Sequence, residues 1–364
     1  MPESDHWTHL HAQLHRTLLQ RQILPSNQRL LVAVSGGQDS LCTLKLLLDL
    51  QPKWGWNLAI AHCDHRWRSD SQSNANHVEN LAKNFGISYY LQTASDIPKT
   101  EAAARQWRYQ ALTEIAIAHN SPYIVTGHTA SDRAETLLYN LIRGSGADGL
   151  SALTWTRPLA DFRLPISDFR LENLDENPKS QIQNLTSHIY LVRPLLEITR
   201  SQTGQFCQDQ KLPIWEDSTN QDLKYARNRI RSQLLPYLET HFNPRASTAL
   251  AQTAELLRAD VEYLELAASN LLRRAMSPIA DSPQVKIQLP VKLNRPILRE
   301  APLALQRRAM RQLLQQILPS APSFDSVEKL TSLIAAPNRS QTDPFSGGAM
   351  ARVENPWIIL DLKF

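Results

Sequence analysis

The segment Ser35-Gly36-Gly37-Gln38-Asp39-Ser40 lies between an apolar run, Leu30–Val34, and a leucine-rich stretch with helical spacing. Two adjacent glycines let backbone amides approach an anion closely, and the two serines place hydroxyls beside them. The start of the following helix adds a field worth ~0.3–1 kcal/mol per charge at an exposed site. The stretch therefore has the make-up of a phosphate cradle. It lacks the lysine of a G-x-x-x-x-G-K-S/T loop and carries Asp39 where cationic help would be expected. A carboxylate beside phosphate makes sense when it holds Mg²⁺ that bridges it to a nucleotide. The alternative is a tight strand–helix turn capped by Asp39 or Ser40.

Four further groups carry chemistry. His62, Asp64 and His65 in AHCDHRWRSDS invite a metal reading, but successive strand residues face opposite ways, so they need not converge. In EAAARQWRYQAL, Glu101 with Arg105 (i,i+4) and Arg105 with Arg108 (i,i+3) share a helix face, which is either functional or a solvated ion-pair face. His128, Asp132 and Glu135 recur at i, i+4, i+7 directly after a strand. Two carboxylates and a histidine there suit Mg²⁺ binding, amine orientation and proton removal. A helix cap with acids favoured by the dipole would give the same spacing. Finally, Lys224, Arg227, Arg229 and Arg231 put four positive charges in eight residues beside Tyr225. That is an electrostatic footprint for RNA phosphate, unless the run is only a solvated helix face.

These groups need a frame. At 364 residues two or three domains are expected, and 42% apolar content supports real cores. A net charge of only +4 permits a nucleic-acid partner without demanding one. Cys42, Cys63 and Cys207 are too scattered for a disulfide framework, a zinc ribbon or a cysteine-held cluster. No signal-peptide core or membrane span is visible, so a cytoplasmic, reducing setting is the expectation, with no membrane partner. Periodicity predicts a leading helix over 6–24 and strands at Leu30–Val34, Leu58–Ala61, Tyr89–Gln92 and Tyr123–Thr126. Helices fall between them at about 40–50, 74–85 and 101–119, then at 131–142. This alternation predicts an α/β fold, a doubly wound parallel sheet. The polar, proline-bearing stretch 157–190 reads as a surface excursion, closed by a short strand in HIYLVRPL. Segments 200–211 and 222–240 read as helical, and from about 245 the pattern is mostly helix, which sets domains at 1–240 and 241–364.

The Ser35–Ser40 loop resembles that of the N-type ATP pyrophosphatases. Within them, the other blocks resemble the lysidine synthetase family. His62, Asp64, His65, Arg68 and Ser71 fit H-x-D-H-x-x-R-x-x-S, and Glu101, Arg105, Arg108 and Tyr109 fit E-x-x-x-R-x-x-R-Y. Residues 127–136 follow G-H-H-x-D-D-x-x-E-T with two departures, Thr129 for the second histidine and Ser131 for the first aspartate. Arg143–Leu150 fits R-G-x-G-x-x-G-L. Asp217, Ser218 and Asn220, followed by Arg227, Asn228 and Arg231, fit D-x-S/T-N and R-N-x-x-R.

The resemblance implies an adenine-nucleotide-hydrolase-like catalytic domain and a helical, tRNA-contacting C-terminal domain. It implies ATP, held by Ser35, Gly36, Gly37, Gln38, Asp39, Ser40 and His62, with Mg²⁺ on Asp39 through the nucleotide. Arg105, His128, Asp132, Glu135 and Arg227 join Asp39 as the implied catalytic set, and Lys224, Arg229 and Arg231 as tRNA contacts. The implied partners are L-lysine and an isoleucine tRNA with a CAU anticodon, and a homodimer is left open. The implied reaction adenylates O2 of the wobble cytidine with release of pyrophosphate. The lysine ε-amine then attacks C2 and expels AMP, which changes codon reading from AUG to AUA. The base must leave the anticodon stack to react. A tRNA thiolase of the same superfamily and a non-catalytic tRNA-binding protein are the rival readings. The thiolase would need paired cysteines or a cluster.

Overall fold

A computed structural model describes residues 7–159, 188–215, 222–277 and 289–362. The chain divides into two compact units, Met1–Leu256 and Leu257–Phe364, with the division inside the long helix Ala246–Ala275.

In the first unit, α1 (His9–Arg21) leads, started by a capping box in which Thr8 and His11 satisfy each other's backbone amides. Then β1 (Arg29–Ala33), α2 (Gln38–Trp54), β2 (Asn57–Asp64), α3 (Ser71–Phe85), β3 (Ser88–Thr93), α4 (Glu101–Ala118), β4 (Tyr123–Thr126) and α5 (Ala130–Ile142) alternate as the periodicity predicts. Two short strands, β5 (Thr156–Pro158) and β6 (Tyr190–Val192), complete a six-stranded sheet of order β3-β2-β1-β4-β6-β5. All pairings are parallel except that of edge strand β5 with β6. Both faces are covered, and strand alternation decides which residue faces which layer. Leu30 and Val32 of β1 join the α1 and α2 leucines in one core, while Leu31 joins Tyr109 and Leu112 of α4 in another. Each such fully buried side chain contributes ~1.5–3 kcal/mol. The chain runs outward from β1 to β2 on one side and to β4 on the other. The crevice beyond the C-terminal ends of β1 and β4 is therefore a topological switch point, where such sheets bind ligands.

The segment expected as one helix over 222–240 is broken. It runs Ala226–Arg229, then a π-helical stretch Ile230–Leu234, then Leu235–His241. The amide of Leu235 reaches back five residues to the Ile230 carbonyl, which widens the turn and re-aims Arg231.

The second unit is mostly helical, as expected, with a sheet added to the helices. Beside helices Leu303–Ile317 and Phe324–Ser332 it holds a four-stranded antiparallel sheet. Its strands are β7 (Met276–Ser277), β8 (Val291–Asn294), β9 (Ala349–Glu354) and β10 (Trp357–Leu362), in order β7-β8-β10-β9. Strand β9 buries Ala349, Ala351 and Val353 in strict alternation, but alanine is a weak strand former, so the period is easily missed. Among the described residues no helix is long and apolar enough to cross a membrane.

Candidate active site

The loop after β1 is held open toward the crevice. Gly36 has φ +85°, and a Cβ there would stand 2.5 Å from Asn74 Oδ1, so only glycine fits. Asn74 Nδ2 donates to the Ser35 carbonyl at 3.0 Å, and the Trp215 amide donates to that of Gly36 at 2.9 Å. Gly37 caps α2 without any side-chain hydrogen bond, which leaves the first-turn amides for an anion. Asp39 is thus no helix cap. Its carboxylate faces Arg200 Nη1 at 3.1 Å and accepts from the Thr203 hydroxyl, both on the helix Arg200–Asp209. Gln38 Nε2 ties the same helix down through the Arg200 carbonyl at 2.6 Å. The cation missing from the loop is therefore present, brought from 161 residues away, and neither Arg200 nor Thr203 carried a sequence motif that would have marked it. Burial pushes the Asp39 carboxyl up from its ordinary value, and Arg200 opposes that shift. Gly127 at the end of β4 makes this approach possible, because a Cβ there would stand 2.7 Å from the Asp39 carbonyl oxygen.

His62 lies under the loop, 3% exposed, with Nδ1 2.7 Å from the Val34 carbonyl oxygen. Burial lowers its pKa. Asp64 accepts from the Arg66 amide, and His65 is tilted against Trp67. Among the described residues no group of three or more His, Cys, Asp or Glu is arranged to hold a metal, so the metal reading of this trio falls. On α4, Arg108 and Tyr109 line the crevice, whereas Arg105 stacks over the Tyr109 ring at 5.1 Å. A further arginine, Arg193, escaped the sequence reading because it stands alone in an apolar strand end. It is 2% exposed, donates to the Thr154 carbonyl at 2.7 Å, and is hydrogen bonded to Tyr109.

His128 sits at the centre of this positive group, with Nδ1 2.8 Å from Thr126 Oγ1. Desolvation first, then the charges of Arg193, Arg105, Arg108 and Arg227, hold its pKa well below the ordinary value. It is neutral at pH 7. A depressed folded pKa means the unfolded chain binds the proton more readily, so this stabilisation is lost as pH falls below ~6.5. Tm should therefore drop on acidification through pH 6, and His128→Asn should flatten that dependence by up to ~1.4 kcal/mol per pH unit. Parallel pH–Tm curves for the two proteins would refute the assignment.

The acids lie at the start of α5. Thr129 caps the helix, and Asp132 Oδ2 accepts from the Thr129 amide at 2.7 Å and its hydroxyl at 2.8 Å. The cap reading thus holds for one Asp132 oxygen. The other, Oδ1, meets Arg231 Nη2 at 3.2 Å. Ser131 Oγ accepts from the Arg200 amide at 3.1 Å, so both positions that depart from the family pattern do structural work here. Glu135, 3% exposed, is gripped in bidentate fashion by Arg231, Nε to Oε1 at 2.6 Å and Nη2 to Oε2 at 2.8 Å. Burial raises the Glu135 pKa, with Arg231 opposing. Arg231 therefore differs from the RNA-facing residue expected from its charge run, because the π-helical turn points it inward. Arg227 lies over the Tyr139 ring at 5.5 Å, and Lys224 and Arg229 are exposed. Asp217, Ser218 and Asn220 lie outside the described residues.

Two cavities each take one of these acids. One, about 380 Å³, lies over the loop and is lined by Ser35, Gly37 to Ser40, His62, Arg108, His128 and Asp132. The other, about 810 Å³, is lined by Glu135, Arg231, Glu197, Glu239, Arg245 and Glu255. Arg200 borders both.

Comparison with known proteins gives a consistent result. A family model described as a PP-loop domain matches residues 8–238, and one described as the TilS substrate binding domain matches 293–355. A protein of Nostoc sp. named tRNA(Ile)-lysidine synthase is 63% identical over 358 residues, 97% of each chain. Proteins of the same name from Synechocystis sp. and Thermosynechococcus vestitus are 48% and 46% identical, each over 97% of this chain and over 97% and 92% of their own. Among solved structures, the U34-tRNA thiolase NcsA of Methanococcus maripaludis, with its 4Fe-4S cluster, aligns at TM-score 0.50 and 15% identity. That alignment covers 68% of this chain and 78% of the thiolase, and supports the fold alone.

Proposed function

Because the chain belongs to the tRNA(Ile)-lysidine synthase family of PP-loop ligases, we propose that its two cavities divide that family's reaction between them. ATP is the nucleotide substrate and tRNA(Ile) the macromolecular one. The 380 Å³ cavity takes ATP and the wobble cytidine, and the 810 Å³ cavity admits L-lysine. The observation that carries this division is that Asp132 lines the smaller cavity while Glu135, three residues along the same helix, lines the larger.

In the first step cytidine O2 bonds to the α-phosphorus and the bond to the β-phosphate breaks. The open amides of α2 and the serine hydroxyls hold the departing pyrophosphate. Arg105, Arg108 and Arg227, with neutral His128, stabilise the charge that develops at the α-phosphate. Mg²⁺ fits the loop in the way a nucleotide-borne ion does, since Asp39 is a single, desolvated carboxylate and phosphates would complete the ligand set. Bound to Asp39, the ion would offset the negative charge of the leaving pyrophosphate.

In the second step the lysine ε-amine bonds to C2 while the C2–O2 bond breaks and AMP leaves. An ammonium is no nucleophile, so it must first give up a proton. The raised pKa of Glu135 suits it to accept that proton, and Asp132 orients the amine. Arg231 holds both acids, so an incoming ammonium competes with a guanidinium for them. Glu197, Glu239 and Glu255 with Arg245 offer the larger cavity partners for the α-amine and carboxylate of lysine. The thiolase alternative lacks support, because Cys42 and Cys207 meet only as buried thiols and, among the described residues, no group of three or more possible ligands is arranged to hold a metal.

Incubation with ATP, labelled lysine and a CAU-anticodon tRNA(Ile) transcript should place label in the RNA with one pyrophosphate and one AMP released per lysine. Pyrophosphate release with no transfer of label, or label transfer without AMP, would overturn the scheme.

A further inference from the structure

α5 continues past the acid pair. Four residues beyond Glu135 comes Tyr139, then Ile142 and Arg143, so these lie ~6–12 Å farther along the helix at 1.5 Å per residue. Together with Arg229, Leu234 and Tyr237 from the broken helix opposite, they form an open groove of about 670 Å³. Its walls are apolar and uncovered. Ile142 is 68% exposed and Tyr237 is 54% exposed. No carboxylate lines the groove, while Arg143 and Arg229 do.

The two tyrosines are not equivalent. Tyr139 is already engaged, since Arg143 lies over its ring at 5.2 Å and donates to its hydroxyl at 2.7 Å, and Arg227 also lies over the ring. Tyr237 meets His241 and Phe242 only at tilts of 46° and 58°, so no ring is stacked flat upon it. An aromatic face between two cations, with no acid at hand, is the chemistry that receives a nucleobase and its phosphates. Its place fits as well. A cytidine drawn out to react leaves its neighbours unstacked, and a stacked strand advances ~3.4 Å per nucleotide. The groove lies about two to four such steps from Glu135, fewer if the strand is extended.

We propose that this groove is a stacking site for an anticodon-loop base flanking the reacting cytidine, with Tyr237 as the platform and Arg143 and Arg229 on the adjoining phosphates. The inference rests on the reading of the neighbouring site as a tRNA-modifying centre. A protein helix or a second copy of the chain could also cover an apolar groove. RNA is favoured because α5 carries both the reacting acids and one wall of the groove, and because the groove's charge is wholly positive.

Steady-state kinetics with the CAU-anticodon tRNA(Ile) transcript test the proposal. Tyr237→Ala should raise KM for tRNA about ten- to a hundred-fold. KM for ATP and lysine, kcat at saturating tRNA, and Tm should stay close to wild type, and Tyr237→Phe should restore tRNA binding. Arg143→Gln and Arg229→Gln should each lower the salt slope of tRNA binding by ~0.7. Ile142→Glu, which adds a charge repelling phosphate on an exposed position, should weaken tRNA binding in the same way. An unchanged KM for tRNA in both Tyr237→Ala and Ile142→Glu overturns the inference. So does a sedimentation change in Ile142→Glu without a change in tRNA KM, which would make the groove an interface between copies. If the wild-type chain itself transfers no lysine to this transcript, the underlying functional reading fails instead.

Discussion

Asp39→Asn should reduce pyrophosphate release by about 10³-fold while the chain stays folded. The substitution keeps the shape of the side chain and an oxygen that can accept from Thr203. It removes the only carboxylate of the loop. Arg200 loses its partner, but its side chain is 37% exposed and water replaces the lost contact. Burial, the largest influence on Asp39, raises its pKa. A raised acid pKa means the folded chain binds the proton more readily than the unfolded one, so ionised Asp39 costs stability as pH rises through the raised value. Neutral asparagine carries no such cost, and Tm should change little. The large loss is expected in the chemical step, because a preorganised electrostatic contact to the transition state commonly carries 10²–10³-fold and the ion it would hold adds to that. Pyrophosphate release measured beside a melting curve decides the matter. A rate within threefold of wild type would remove Asp39 from the mechanism, and a parallel loss of Tm would make the residue structural.

The second large effect is expected at Arg231. Arg231→Met should cut lysine transfer by about 10²–10³-fold, spare pyrophosphate release, and destabilise the chain by about 3 kcal/mol. Removing one partner of a buried ion pair leaves an uncompensated charge, at a typical cost of ~3–5 kcal/mol. The lower end applies because the Arg231 side chain is about a quarter exposed. Glu135 is nearly fully buried and its pKa is already raised. Without the guanidinium it rises further, so at a given pH less of the acid is ionised to attract or deprotonate an ammonium. The ascending limb of the pH–rate profile for transfer should therefore move to higher pH. Arg231→Lys should recover only part of the loss, because a point charge cannot reproduce the bidentate grip. If Arg231 instead contacted RNA from the surface, as its charge run suggests, KM for tRNA would rise while Tm and the pH profile stayed put. The two readings are separable by one variant.

The sheet was legible because its strands are short apolar runs that need no partner to be recognised. Leu30–Val34 and Tyr123–Thr126 are hydrophobic on both faces, which is what burial between two helical layers demands. The break at Ile230–Leu234 was not legible, since residues 222–240 satisfy a helical period and a π-helical turn leaves that period nearly intact. The C-terminal sheet was missed for a different reason. β8 is short and lies far from β10 in the chain, so their pairing depends on a contact no local window contains, and the β9–β10 hairpin is masked by the weak strand propensity of the β9 alanines.

The amino-acid sequence by itself determined what is local. It set the glycine loop between strand and helix, the spacing of His128, Asp132 and Glu135 on one turn-and-helix segment, and the alternation that makes a parallel sheet with its crevice at the C-terminal strand ends. Each of these follows from backbone sterics and side-chain period over a few residues. Only the tertiary structure decided where the charges go. It brought Arg200 to Asp39 across 161 positions, Arg231 to Glu135 across 96, and buried Arg193 beside Tyr109. A guanidinium on a long flexible stem has no preferred partner in sequence. Desolvation makes a buried carboxylate costly unless a cation meets it, and which cation does so depends on how the whole chain folds.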